Sequence, residues 1–240
     1  MSFSIKVNNA RFDNDKVLSS LTLPSLQGLS AEFIIATSLA ASQRNLNTGL
    51  DELTEIAIPS VGPTWNADSA TFICNAATES ASGLQATTNA TNAEGTHIVV
   101  AEKAWGAAAV FTGGSNGFYG VSSGSYCVYA TGAYAGVGRR AQIAQSALPS
   151  GFIVFIGRGQ SGGLGKLSAG VSGSLLDATA TNVDGAITAG ALKVAGSTAG
   201  TGTVKVAYAA HYSRVLTDEE CLTAYLSLKA FFTARGVTIS

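Results

Sequence analysis

This chain is short of charge. Asp, Glu, Lys and Arg together make up 12% of it, roughly half the share in an ordinary soluble domain. Fourteen basic residues stand against fifteen acidic ones, for a formal net charge of −1. That balance excludes a nucleic-acid binder that works by neutralising phosphates, which needs a basic surface. There are only four prolines and one methionine, and the low charge also argues against a disordered acidic or Pro-rich chain. Long apolar runs are missing too. The most apolar stretches, 32–41 and 104–111, fall well short of the roughly 18–20 residues a bilayer-spanning helix needs. Residues Met1-Ser2-Phe3-Ser4-Ile5-Lys6 lack a basic start leading into an apolar core, so no secretory signal is expected. Cysteine is scarce and odd in number: Cys74, Cys127 and Cys221 are widely spaced. They offer neither a disulfide framework nor a C-x-x-C motif. They read as buried thiols of a protein made in a reducing compartment.

What the chain does have is small residues, glycine alone numbering 28, between short apolar runs. Strands are expected at 3–8, 31–38, 53–58, 70–75, 96–101, 107–112, 117–121, 125–131, 138–144, 151–158, 164–171, 191–195 and 204–212. These segments are rich in Val, Ile, Phe, Tyr and Thr, which suit a pleated, half-buried surface. Turn signals separate them, among them Gly113-Gly114-Ser115-Asn116-Gly117 and Pro149-Ser150-Gly151, and every proline falls between strands. Many short strands without intervening helical periodicity predict an antiparallel sandwich or barrel. The Ala/Gly/Ser/Thr background lets two sheets approach closely and leaves an exterior that is polar but uncharged. The low-complexity pieces 86–93 and 178–183 read as surface connections or edge strands. No composition shift or fixed-period repeat divides the chain, so residues 1–240 are expected to form one domain, with 1–20 as an N-terminal arm or edge strand.

The C-terminus breaks the pattern. Thr217-Asp218-Glu219-Glu220 is a capping box, in which Thr217 caps the Glu220 N–H and the Glu220 carboxylate reaches back to the Thr217 N–H. Cys221, Tyr225, Leu228 and Phe232 then form an apolar stripe with Leu222 and Leu226 beside it, and Gly236 is a suitable stop. A helix over 218–235, packed on the sandwich, is predicted.

Residues 204–220, with Tyr212, Arg214, Leu216 and the Thr217 to Glu220 box, resemble the closing strand–turn–helix of concanavalin A-like lectin/glucanase domains, in particular the laminin-G-like jelly rolls. Tyr225, Leu226 and Lys229 continue that likeness over about forty residues at the end of the chain. The resemblance implies an all-β, two-sheet antiparallel jelly-roll sandwich with one C-terminal α-helix. It says little about function, because this fold carries lectins, hydrolases, adhesion modules and virion proteins. The charge-poor texture and the Met start also resemble tailed-phage virion proteins that carry this domain.

Candidate chemistry is sparse. Arg214 with Asp218, Glu219 and Glu220 reads as helix capping rather than catalysis. A glycosidase needs two carboxylates across a groove. Glucanases of this superfold supply them from an E-x-D-x-x-E strand, absent here, and Glu102 is the one carboxylate between Thr96 and Thr131. Gly157-Arg158-Gly159-Gln160-Ser161-Gly162, with Asp177 twenty residues after Gly157, matches a dinucleotide fingerprint on paper. The glycine-rich stretch that follows cannot form the helix a pyrophosphate needs, so a flexible hairpin loop is expected there. His97 and His211 are far apart in sequence, each read as a strand residue with one hydrogen-bonded nitrogen. Asp68, Asp177 and Asp184 form no dense oxygen cluster; no metal, cofactor or catalytic residue is expected. For sugar binding, an exposed aromatic beside amide or acid groups is the useful pattern. Trp65 with Asn66 and Asp68 fits it, with Tyr119 and Tyr134 as further candidates, while Trp105 reads as core.

The expected function is therefore non-enzymatic: a phage virion component, made in the host cytoplasm, that decorates a capsid or associates with a tail. Its partners would be other virion proteins or copies of itself, with no nucleic acid and no membrane insertion. The alternative is an adhesin that binds host surface glycans, and a glycoside hydrolase is the more remote reading.

Overall fold

The computed structural model describes residues 27–43, 46–47, 49–50, 52–90, 94–102, 109–113, 116–121, 125–130, 140–160, 165–180, 189–196 and 201–240, with backbone alone for 109, 116–121, 125–130 and 140. The expected strand 3–8, Tyr134, Trp105 and Asp184 lie outside this set. Among the described residues the strands are β1 (Leu29–Ile34), β2 (Leu53–Ile58), β3 (Thr64–Trp65), β4 (Ala70–Asn75), β5 (Ser80–Ala90), β6 (Glu94–Glu102), β7 (Ala109–Gly113), β8 (Asn116–Val121), β9 (Ser125–Ala130) and β10 (Arg140–Ala144). They continue with β11 (Phe152–Gln160), β12 (Gly165–Val171), β13 (Ser174–Ala180), β14 (Gly190–Ala195) and β15 (Thr201–Tyr212). A one-turn helix α1 (Leu39–Ser42) follows β1, and α2 (Asp218–Ala234) closes the fold.

All fifteen strands join one hydrogen-bonded ribbon, folded into two antiparallel layers. The back sheet runs β1-β15-β6-β11-β12-β13. The front sheet runs β2-β5-β14-β7-β8-β9-β10. β4 joins them, pairing with β15 along Thr201 to Val206 and with the first residues of β5.

The core between the layers takes Val99, Ile153, Phe155 and Leu167 from the back sheet and Leu84, Phe111, Val194 and Ile143 from the front. A second apolar layer lies on the other side of the back sheet. There Ile98, Val100, Val154, Ile156, Tyr208 and Tyr212 meet Cys221, Ala224, Tyr225, Leu228 and Phe232 of α2. Successive residues of β6 and β11 thus enter opposite cores. This is why these segments read as unbroken apolar runs rather than alternating ones: a strand covered on both faces needs no polar side.

The helix seats closely. Gly170 of β12 lies beneath the Tyr225 ring, and a Cβ there would come within 2.3 Å of it. The Tyr225 hydroxyl accepts from the Gly173 N–H at 2.9 Å and donates to the Ser240 carbonyl at 2.8 Å. The capping box forms as expected, the Glu220 N–H donating to Thr217 Oγ1 at 3.2 Å and the Thr217 N–H to Glu220 Oε2 at 2.8 Å. Leu222 and Leu226, expected beside the buried stripe, face outward instead. They fall on the turn of the helix that points away from the sheet.

Two other expectations are corrected, and 178–180 falls in an edge strand as expected. Ser80–Ala90 is an interior strand, paired with β2 along one edge and with β4 and β14 along the other. Its Ala, Gly and Thr residues look like a surface connection in isolation. Gly83 is needed because Gly196 crosses over it, where a Cβ would lie 2.4 Å from the Gly196 nitrogen. Gly157–Gln160 is strand rather than hairpin loop, paired with both β6 and β12 over most of its length. The run 174–180 forms β13, at the outer edge of the back sheet.

Candidate functional site

The back sheet's outer face is covered by α2, so among the described residues the face of the sandwich with no element packed on it belongs to the front sheet. Which residues reach it follows from alternation. In β5, Leu84 and Ala86 are buried, sending Gln85 outward; in β14, Leu192 and Val194 are buried, sending Lys193 outward. Phe111 and Gly113 do the same for Thr112, and Leu53 for Thr54. Register aligns these four residues. Thr54 pairs with Gln85, Gln85 with Lys193, and Lys193 with Thr112. Directly opposed residues in antiparallel strands hold their Cβ atoms about 4.5–5.5 Å apart, so hydroxyl, amide, ammonium and hydroxyl form one row across four strands. The row continues through register positions Gly117, Tyr129 and Arg140. Tyr119 pairs with Cys127, which pairs with Gln142, in the next row on the same side.

Its surroundings are uncharged. Ala191 and Ala195 flank Lys193 along β14, with Asn89 and Gly83 opposite them on β5. Ile56 and Ile58 continue the outward positions of β2 as an apolar shelf, Ile58 being 39% exposed. Among the described residues Lys193 makes no ion pair or hydrogen bond, and no carboxylate stands in these rows.

Of the residues singled out from the sequence, Tyr119 stands at a position in these rows, Tyr134 lies outside the described residues, and Trp65, Asn66 and Asp68 are placed elsewhere. Trp65, in β3, packs partly buried against the inter-sheet core. The Asn66 side chain donates to the Thr64 carbonyl and to Thr71 Oγ1, both at 3.3 Å, and its N–H closes a turn onto Ser69. Asp68 pairs with Arg235 at 3.2 Å, tying the turn to the end of α2. Asn66 and Asp68 are thus engaged in holding the fold.

Arg214 and Glu220 form a two-point ion pair, Arg214 Nη1 donating to Glu220 Oε2 at 2.9 Å. The Arg214 guanidinium holds the Glu220 carboxyl down to about 2. Asp218 is held below its usual range by Lys166 first and Arg158 second, at 2.8 and 2.7 Å. Arg158, buried in β11, also donates to the Leu216 carbonyl at 3.0 Å. Arg158 of the Gly-Arg-Gly run is therefore a latch for the helix start, held in a strand rather than in a phosphate-cradling loop. Asp177 is paired with Lys166 at 2.9 Å. Among the described residues no group of three His, Cys, Asp or Glu gathers at metal-ligand distance, and Cys74 and Cys221 are buried.

One constellation was invisible in sequence. His97 and His211 are register partners on β6 and β15, both buried in the inter-sheet core with ring centroids 4.8 Å apart and planes at 69°. The Ser30 hydroxyl donates to the His211 carbonyl at 3.0 Å and lies on Nδ1 of the same ring. A hydroxyl has one proton to give, so Nδ1 carries the imidazole hydrogen and Nε2 is a bare lone pair. That nitrogen, and both nitrogens of His97, lack a partner among the described residues. The expectation of one bonded nitrogen therefore holds for His211 and is corrected for His97, whose neighbours are Phe111 and a glycine backbone. Burial lowers both basicities, His211 to about 4 and His97 well below its ordinary value, with His211 a secondary cause for His97.

No protein-family model and no curated protein sequence matches this chain. Solved structures do resemble its fold. The binding domain of botulinum neurotoxin DC in complex with rat synaptotagmin II superposes with a TM-score of 0.59 at 7% identity, over 84% of this chain and 52% of that one. The same domain in complex with SialylT gives 0.58 at 7% identity, over 85% and 52%. A Trypanosoma rangeli sialidase in complex with 2,3-difluorosialic acid gives 0.55 at 12% identity, over 86% and 34%. The chain spans about half the length of those neurotoxin domains. At such identities the likeness establishes the fold alone: an all-β jelly-roll sandwich with a C-terminal helix.

Proposed function

We propose that this chain is a non-catalytic carbohydrate-binding domain, with the outer face of its front sheet as the ligand surface. The observation that carries this reading is the row Thr54, Gln85, Lys193 and Thr112, aligned by strand register, in which Lys193 is the one charged residue. Sugars present hydroxyls that donate and accept together with an apolar C–H face. A row of hydroxyl and amide groups beside an aliphatic shelf meets both, and the positions of Tyr119 and Tyr129 put aromatic residues in the same rows. Two of the structural neighbours are described with sialyl compounds bound, which supports a sugar as the ligand class. Hydrolysis would require two carboxylates about 5–5.5 or 6.5–9.5 Å apart, and no described carboxylate stands in the rows.

A glycan array with the whole chain tests the reading. Gln85→Ala/Thr112→Ala is expected to lower the sugar signal about tenfold or more, since each lost hydrogen bond is worth about 1 kcal/mol and leaves its partner unpaired. Trp65→Ala, checked for retained fold by circular dichroism, separates this face from the Trp65, Asn66 and Asp68 turn; loss in that variant alone would move the site there. No signal above background for the unmodified chain overturns carbohydrate binding altogether.

The composition favours one setting for such a domain: a phage virion, as a capsid-decorating or tail-associated component, with host surface glycans as the ligand. At 12% charged residues, its surface offers little repulsion to close lateral packing against copies or other virion proteins. Sedimentation is expected to show self-association or attachment to particles lacking this chain. A strictly monomeric chain with no affinity for such particles removes this setting and leaves glycan binding standing.

A further inference from the structure

Resting on the carbohydrate reading, the geometry points to a sugar carrying a single negative charge, a carboxylate as in a uronic or sialic acid, with Lys193 as its anchor. Lys193 is central in its row, with Gln85 opposite it on one side and Thr112 on the other. It is half-buried, which removes part of its hydration, and among the described residues nothing neutralises it. The other cations of the described side chains contrast with it. Arg158, Lys166, Arg214 and Arg235 are each paired with a carboxylate, and Lys205 and Lys229 lie over the rings of Phe152 and Tyr225.

Among the described side chains this charge-poor chain leaves one ammonium unpaired amid amide and hydroxyl groups, which presents a monoanion site with neutral hydrogen-bonding neighbours. Nucleic acid would call for several cations close together, and an acidic peptide for more than one, whereas Arg140, the other basic position of the row, stands four strands away from Lys193. A carboxylate on a sugar ring needs one charge, while its ring hydroxyls take the flanking Gln85 and Thr112. The ammonium is a point charge with three donors, and a charge-assisted hydrogen bond is about twice as strong as a neutral one.

The test compares sialyl-lactose and a glucuronic-acid-terminated oligosaccharide with lactose, binding each to the unmodified chain, Lys193→Gln and Lys193→Arg. The acidic sugars are expected to bind the unmodified chain about tenfold more tightly than lactose. That preference should shrink as salt is raised. Lys193→Gln should abolish the preference, bringing the acidic sugars down to the level of lactose in the same variant, and Lys193→Arg should keep it. Equal binding of acidic and neutral sugars, or a preference that survives Lys193→Gln, overturns the assignment and leaves the carbohydrate reading intact. Failure of all three sugars to bind overturns both.

Discussion

Acidification from about pH 7.5 to about pH 5 is expected to destabilise this sandwich steeply, with the loss traced to two histidines. Burial penalises a charged imidazole, and both nitrogens of His97 and Nε2 of His211 lack a partner among the described residues, so the two rings stay neutral in the folded state. The unfolded chain takes up a proton on each near 6.5. Because the folded affinity for protons is lowered, the stability this confers is full above 6.5 and is lost as pH falls through 6.5 towards 4. One pH unit corresponds to about 1.4 kcal/mol per group, so each histidine gives up about 2 kcal/mol by pH 5. Against a total of about 5–15 kcal/mol, the pair matters.

Other groups act differently. Glu220, held to about 2 by Arg214, loses its contribution only as pH falls through the ordinary carboxylate range. Glu32 is raised by burial despite accepting from the Tyr208 hydroxyl at 2.8 Å, so its protonation favours the folded state and opposes the histidine trend. Denaturant midpoints between about pH 5 and 7.5 check this. The unmodified chain should show the slope, and His97→Leu should roughly halve it. A flat profile in the unmodified chain would refute the claim that the pair remains neutral.

Phe232→Ala is expected to cost about 3–5 kcal/mol, the range for deleting a fully buried aromatic. The ring is enclosed by the outer layer of the back sheet and meets Tyr208 edge-on at 6.5 Å. Leu226→Ala, on the outward face of the same helix and 45% exposed, should stay within about 0.5 kcal/mol, as surface changes do. Thermal melts of the two variants test whether α2 is part of the core or an appendage. Similar small losses in both would mean that the back sheet does not depend on its helix.

Local signals accounted for most of the elements. The limits of β2 and β4 follow from short apolar runs bounded by turn residues, and α2 from its cap and its Cys221–Tyr225–Leu228–Phe232 spacing. β5 escaped notice because its Ala, Gly, Ser and Thr residues carry almost no β signal of their own. Neighbours on both edges and a crossing backbone at Gly196 hold it in place. Among the candidate site residues, Tyr119 occupies a row of the exposed front sheet, whereas Asn66 and Asp68 are occupied by the turn and by Arg235. An isolated aromatic–amide–acid triplet looks the same whether its polar groups await a ligand or brace a loop.

By itself, then, the sequence determined the class of secondary structure, the helix and its cap, and the shortage of charge, because propensity, periodicity and capping act over a few neighbouring residues. Tertiary structure alone decided which residues meet across long separations: His97 with His211, Arg158 with Asp218, and Gln85 with Lys193 and Thr112. Strand register sets those meetings, and it depends on how all the strands share one core, which no local stretch encodes.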